Sequence, residues 1–288
     1  MSDTANLSSG KGAGDENFPV ASRLVARRHR EVVMRFYAVA RMADDIADHA
    51  MLAPERKIRL LDEIEATLDG ADTVPEAVAL RESLAARGLT DRHVRDLLVA
   101  FRQDATQSRY ADWDALMTYC RYSAAPVGRF MLDVHGEDRA TWTASDALCA
   151  ALQIINHLQD CAKDYRELDR VYLPLDALAA AGATVDDLGE ARSTPALLAT
   201  IRGLAVRTAG LLAEAKRLSP EVRDTRLALE IGVIQALAES LDRRLLRRDP
   251  LADQVHHTRD AAIGIAVSGA IGALVWRLGS RQGRRLGA

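Results

Sequence analysis

From about residue 22 onward, apolar residues recur at helix spacing and show no strand-type alternation. Ala, Leu, Arg and Glu dominate, and all four tolerate helices well. Asn-Gly turn pairs are absent. The pattern predicts a helix from a Ser22 cap to about His49. Further helices are expected over about 55–69, 75–87, 91–105, 112–135, 143–167, 184–217, 222–247 and 259–278. Glycine and proline mark the breaks: Gly70, Gly88, Gly136, Pro174, Gly182, Pro220 and Pro250. Helices joined by short loops over this length predict an all-α bundle with its core between the helices. No repeat of solenoid period and no long linker divides it.

Two segments set charge into apolar surroundings. Asp44-Asp45-Ile46-Ala47-Asp48 follows Phe36-Tyr37-Ala38-Val39-Ala40. Asp160-Cys161-Ala162-Lys163-Asp164 follows Ala151-Leu152-Gln153-Ile154-Ile155. Residues four apart stack on one helix face, so Asp44 stacks with Asp48 and Asp160 with Asp164. An acidic residue ordinarily lies on a solvated face. The apolar flanks argue against that here, and like charges at this spacing destabilise a helix. A compensating hard cation would remove the cost. Mg²⁺ suits carboxylate and phosphate oxygens and needs few protein ligands, so the two pairs together could hold a diphosphate.

Basic and amide residues lie on the same faces. Arg41 precedes Asp44 by three positions, where an ordinary surface salt bridge is the competing reading. Gln153, Asn156, Asp160 and Asp164 form one stripe. Arg170 and Tyr172 follow in the expected loop Asp169-Arg170-Val171-Tyr172-Leu173-Pro174, placed to close over phosphate oxygens.

Composition narrows the class. The hydrophobic fraction is 48%, charged residues make 27%, and the net charge is −3. That is an ordinary globular balance and gives no basic footprint for nucleic acid. Cys120, Cys149 and Cys161 lack CxxC spacing and read as reduced thiols of a cytoplasmic protein. Met1 to Asn17 is polar and rich in Gly and Ser, and is expected to be a flexible tail.

The chain resembles the squalene/phytoene synthase family. The resemblance rests on Phe36 through Asp48, on Leu152 through Asp164, and on Arg170-Val171-Tyr172-Leu173-Pro174. Tyr119-Cys120-Arg121-Tyr122-Ser123-Ala124-Ala125-Pro126-Val127-Gly128 is similar to the family's small-residue stretch beside a central cavity. The similarity covers about residues 18–255. It implies a single-domain isoprenoid-synthase helical bundle with a central apolar cavity. Residues 256–288 would add an apolar helix with a basic end.

Within the family, Phe18-Pro19-Val20-Ala21-Ser22, Ala43 through Asp48 and Asn156 through Asp160 are similar to the bacterial hydroxysqualene synthase branch. That branch implies conversion of presqualene diphosphate and water to hydroxysqualene and diphosphate. It also implies a separate enzyme that supplies presqualene diphosphate. Gln159 stands where most members of the family carry Arg. The expectation is that a phosphate-binding cation is lost there.

The resemblance implies Asp44, Asp48, Asp160 and Asp164 as Mg²⁺ ligands, with Asp45 supporting or alternative. Arg41, Gln153, Asn156, Arg170 and Tyr172 would steady the diphosphate. Tyr37, Tyr119 and His157 are the candidates to position water. Ala124, Ala125 and Gly128 would leave room for a C30 chain, although close helix packing uses the same residues.

Ala261 to Trp276 carries no charge. At ~1.5 Å per residue it reaches roughly 24 Å, short of the ~30 Å hydrocarbon core. Arg277, Arg281, Arg284 and Arg285 follow. A final core helix, peripheral contact with the inner face of the cytoplasmic membrane, and a span are the three readings.

Rival functions are weaker. A di-iron bundle needs Glu-x-x-His pairs, and no Glu stands three residues before any of the seven histidines. A non-catalytic helical lipid-binding protein would not need both acidic clusters. Inside the family, the alternatives are condensation of two farnesyl diphosphates to presqualene diphosphate or squalene, and phytoene synthesis.

Overall fold

The computed structural model describes residues 25–286, with side chains to Arg277. The expected 1–17 tail, the Phe18–Ser22 stretch and the side chains of Arg281, Arg284 and Arg285 lie outside the described residues.

Twelve α-helices follow in chain order among the described residues: α1 Arg27–Asp48, α2 Pro54–Leu68, α3 Pro75–Ala85, α4 Arg92–Asp104, α5 Trp113–Ser123 and α6 Ala125–Val134. They continue with α7 Trp142–Leu168, α8 Leu175–Ala181, α9 Pro195–Ala215, α10 Leu218–Glu221, α11 Thr225–Leu245 and α12 Arg259–Leu286. Short 3₁₀ turns lie at Arg139–Thr141 and Val185–Gly189. The described residues contain no strand, only an isolated bridge between Arg109 and Val171.

Proline sets several starts. Pro54, Pro75 and Pro195 open α2, α3 and α9, where the missing N–H costs nothing. The same chemistry corrects two expectations. A continuous helix over 112–135 is broken at Ala124 (φ −123°, ψ −48°), just before Pro126. The expected helix from 184 begins only at Pro195, where the Thr194 hydroxyl accepts from the Leu197 N–H at 3.1 Å. Residues 175–181, which no expected helix covers, form α8 between Pro174 and Gly182 (φ 74°).

Two apolar cores result. Val32, Phe36, Val39 and Ile46 of α1 meet Leu61, Ile64, Leu80 and Leu98 of α2–α4. Phe130 of α6 joins them by stacking on Phe36 at 3.9 Å. The larger core surrounds α7, with Ile154, Ile155 and Leu158 packed among Leu197, Ile201, Leu204 and Leu241. Met131 touches both cores. Each fully buried side chain of this size contributes about 1.5–3 kcal/mol.

α12 lies along α11, and small residues set the approach. A Cβ on Gly269 would fall 2.5 Å from the Gly232 carbonyl oxygen and 2.9 Å from Ala236 Cβ. Arg277 donates to the carbonyls of Val222 (2.6 Å) and Arg223 (2.8 Å). α9 is also long and apolar enough to cross a membrane. Its Leu197, Ile201, Leu204 and Leu212 are buried in the larger core, as in an interior helix.

Candidate active site at the ends of α1 and α7

The acidic segments occupy the last turns of α1 and the C-terminal third of α7. On α1, Tyr37, Arg41, Asp44 and Asp48 share a face. Arg41 bridges two carboxylates, Asp44 at 2.8 Å and Asp45 at 2.5 Å. Asp45 is buried beneath the arginine, whereas Asp44 keeps 36% of its side chain open.

A turn after α7 joins the two ends. Asp169 adopts the left-handed region (φ 50°, ψ 37°), and the Arg170 N–H donates back to the Asp164 carbonyl at 3.1 Å. Arg109 holds the Asp169 side chain through an ion pair. The turn sends Arg170 back into the bundle, where only 6% of it is exposed. Its guanidinium donates to Asp48, to the Ala47 carbonyl at 2.9 Å and to the Asp104 carbonyl at 3.0 Å. Arg170 thus fastens the α7 exit to the ends of α1 and α4.

Tyr172 is drawn in by the same turn. Its ring stacks on His157 with centroids 3.5 Å apart and planes at 15°. Its hydroxyl donates to Asp104 at 3.2 Å, and the Tyr119 hydroxyl donates to the other Asp104 oxygen at 2.9 Å. His157 Nδ1 stands 4.0 Å from Asp164. Burial, with Arg170 nearby, drops the His157 pKa to about 3, so its ring is neutral.

The carboxylates repel one another. Burial and then Asp48 push Asp44 up to about 7, against the pull of Arg41. Burial, Asp160 and Asp48 push Asp164 up to about 7. The influence of Asp48 on Asp164 places the two acidic segments in one electrostatic site. Among the described residues, no three His, Cys, Asp or Glu side chains converge tightly enough to hold a metal ion alone.

Other expected site residues fall as follows. Gln153 and Asn156 are half-buried on the α7 stripe that leads to Asp160. Ala124 and Ala125 are buried at the α5–α6 break. Gly128 corrects the expectation of open room. A Cβ there would lie 2.4 Å from Ser145 Oγ and 2.6 Å from Cys149 Sγ, so its missing side chain lets α6 meet α7. Gln159 is also corrected. It is buried, and its amide donates to the Val255 carbonyl at 2.6 Å and lies 3.2 Å from His256 Nδ1. It ties α7 to the segment before α12 and does not join the acidic stripe. Asp104 was not anticipated; it ends α4 as a lone acid with no stripe to mark it.

The squalene/phytoene synthase family matches residues 12–260. A hydroxysqualene synthase from Rhodopseudomonas palustris is 59% identical over 257 residues, covering 89% of this chain and 88% of that protein. One from Zymomonas mobilis is 48% identical, covering 94% and 92%. The solved squalene synthase of Alicyclobacillus acidocaldarius has TM-score 0.73 at 32% identity, covering 85% of this chain and 92% of its own. The architecture is therefore the isoprenoid-synthase helical fold, built as a single domain. The chain belongs to the squalene/phytoene synthase family, and it is an enzyme acting on prenyl diphosphates.

Proposed function

We infer that this enzyme converts presqualene diphosphate and water to hydroxysqualene and diphosphate. The observation that carries the reading is the 59% identity, over 89% of the chain, to a protein that bears the name hydroxysqualene synthase. The chemistry of the site agrees. Ionisation of the substrate leaves a multiply charged diphosphate, and the site offers cation-seeking carboxylates beside two arginines.

Asp44, Asp48, Asp160 and Asp164 would hold Mg²⁺, with Asp45 retained by Arg41 as a supporting carboxylate. The donor set fits. Carboxylates pushed up to about 7 by burial and then by one another lack positive charge. Mg²⁺ takes one or two carboxylates per ion and fills its shell with water and phosphate, so paired acids suffice without a closed cage. Bound there, the metal supplies Lewis-acid stabilisation to the departing diphosphate. Arg41, with 18% of its side chain exposed, would present N–H groups to phosphate oxygens. The buried Arg170 is already committed to Asp48 and the Ala47 and Asp104 carbonyls, and would act on the site by holding Asp48 in place. Gln153 and Asn156, half-buried on the α7 stripe, would steady the diphosphate. Tyr172 corrects its expected place in that set, because it is buried and its hydroxyl is donated to Asp104. The neutral His157 ring and the Tyr119 and Tyr172 rings can face a carbocation without repelling it.

Purified protein with Mg²⁺ should release hydroxysqualene from presqualene diphosphate and nothing from farnesyl diphosphate alone. Condensation of farnesyl diphosphate would overturn the assignment in favour of a head-to-head synthase. A separate enzyme that makes presqualene diphosphate then precedes this one.

Contact with a membrane surface is part of the same proposal. Ile263, Val267, Ile271, Leu274 and Val275 form an outward stripe on α12, each at least 44% exposed, and Trp276 is 54% exposed. The opposite face packs on α11 through Gly269 and Ala273. A helix half-bound to protein and half-apolar outward suits an interface better than a span. The C30 substrate and product partition into lipid. Vesicles of anionic lipid should sediment the protein. Ile271→Glu with Val267→Glu should reduce sedimentation at least about tenfold. Equal sedimentation would remove the membrane from the reading.

A further inference from the structure

Water capture requires a group that takes a proton, and one candidate to position the water, Tyr119, shares a carboxylate with Tyr172. Tyr119 and Tyr172 both donate their hydroxyl hydrogens to the same carboxylate, Asp104, at 2.9 and 3.2 Å. Each Asp104 oxygen takes one hydroxyl. A hydroxyl whose hydrogen is fixed in this way presents only lone pairs elsewhere. The two rings lie 5.4 Å apart, and Tyr172 stacks on His157 beside Asp164. The hydroxyl pair therefore borders the acidic site without belonging to it.

Asp104 is itself held in place. Its backbone carbonyl accepts from Arg170, which also grips Asp48. Burial pushes its carboxyl up to about 6, with Arg170 and the two tyrosines pulling down and Asp48 adding to the rise. Burial holds both phenols well above their ordinary value, so neither is a phenolate.

We propose that Asp104 is the positioning residue for water capture. It fixes the hydroxyl hydrogens of Tyr119 and Tyr172 so that their oxygens orient the incoming water, and it receives the proton that the water releases. This rests on the function given above. The water oxygen forms a C–O bond to the cationic carbon. One water O–H bond breaks, and its proton passes to the Tyr119 oxygen as the Tyr119 proton passes to Asp104. Hydroxysqualene leaves neutral, and Asp104 returns the proton to solvent. Without this arrangement the cation instead loses a proton from carbon and gives a hydrocarbon.

The test uses the full chain with Mg²⁺ and presqualene diphosphate. Wild-type protein is assayed first. Failure to form hydroxysqualene would sink the underlying function, separately from the present inference. Asp104→Asn should lower kcat by about a hundredfold, leave KM within about threefold, and shift product from alcohol toward hydrocarbon. Tyr119→Phe should do the same, and the double variant should lose little more than either single one. Wild-type kcat and product ratio in Asp104→Asn, or additive losses in the double variant, would overturn the proposal. If Asp104→Asn does not fold, Tyr119→Phe and Tyr172→Phe decide. A shifted alcohol-to-hydrocarbon ratio in either supports the inference, and unchanged ratios in both refute it.

Discussion

At the end of α1 the carboxylates already hold arginine. Asp44 and Asp45 share Arg41, and Asp48 takes Arg170. At the end of α7, Asp160 and Asp164 have no arginine or lysine within ion-pair distance among the described residues. Among the described residues the basic side chain within ion-pair distance of Asp164 is His157, which is neutral. The two ends look alike as strings of aspartate but differ as electrostatic sites. The α1 end combines acid and base and can meet both a metal and a phosphate. The α7 end has no such ion pair among the described residues, and only the more distant charges of Arg170 and Lys163 oppose the rise at Asp164, so it depends more on an added cation.

Replacement of single acids should expose that difference most strongly. Asp164→Asn and Asp160→Asn should each lower turnover at least about a hundredfold, because no other positive charge is paired there. The fold should survive, since loss of one like charge relieves repulsion. Asp48→Asn should lower turnover too, but it also leaves the buried Arg170 guanidinium short of a partner. Its melting temperature should fall, as for about 1–2 kcal/mol. Kinetics with thermal melts check both, and a melt drop in Asp164→Asn equal to that of Asp48→Asn would erase the contrast.

Arg170→Met removes the strap between the two ends. It frees Asp48 and leaves the carbonyls of Ala47 and Asp104 without their donor. The expected cost is about 2–4 kcal/mol in denaturant unfolding. A loss under about 0.5 kcal/mol would show that the ends meet without it.

The dependence on pH follows from the raised carboxyls. Asp44 and Asp164 sit at about 7, against an ordinary 3.8. Between those values the folded, metal-free protein holds protons that the unfolded chain has released. Their contribution therefore lowers stability as pH rises from about 4 to 7. Mg²⁺ held as proposed would displace these protons, so the concentration giving half-maximal rate should rise as pH falls from 8 to 6. The melting-temperature gain from Mg²⁺ should be larger at pH 8 than at pH 6. His29 and His157, held at about 4 and 3, act in the opposite sense on overall stability. The comparison with and without metal removes most of that background. A Mg²⁺ requirement flat from pH 6 to 8 would contradict the assignment of these two carboxyls.

Much of this arrangement was legible in the chain because the signals are local. Spacing of four placed Asp44 over Asp48 and Asp160 over Asp164. Proline and glycine placed most helix ends within a few residues. The misses share a different cause. Asp104 has no patterned neighbour, and its hydrogen bonds exist only because Tyr119 and Tyr172 arrive from other elements. Gly128 allowed either open room or close packing, and only the position of Ser145 and Cys149 decides for packing. α8 is seven residues long, too short for periodicity to register. Gln159 was misread for a rotational reason. Adjacent helical residues point about 100° apart, so a neighbour of Asp160 in sequence need not be its neighbour in space.

Gln159 gives the smallest predicted effect on catalysis and the finest test of the contrast between the two ends. Gln159→Arg would restore the residue type that the family resemblance leads one to expect. If the α7 end simply lacks a cation, this arginine should tighten diphosphate binding. The geometry argues otherwise, because position 159 is 8% exposed and faces Val255 and His256. A guanidinium there must be buried, and it must disturb the link to the segment before α12. The expected result is a destabilisation of about 1–3 kcal/mol. Inhibition by diphosphate should stay within about twofold of wild type, since the new charge points away from the stripe. Inhibition tightened tenfold would mean that α7 can turn position 159 into the site, and the unequal charge of the two ends would then be a matter of one side chain.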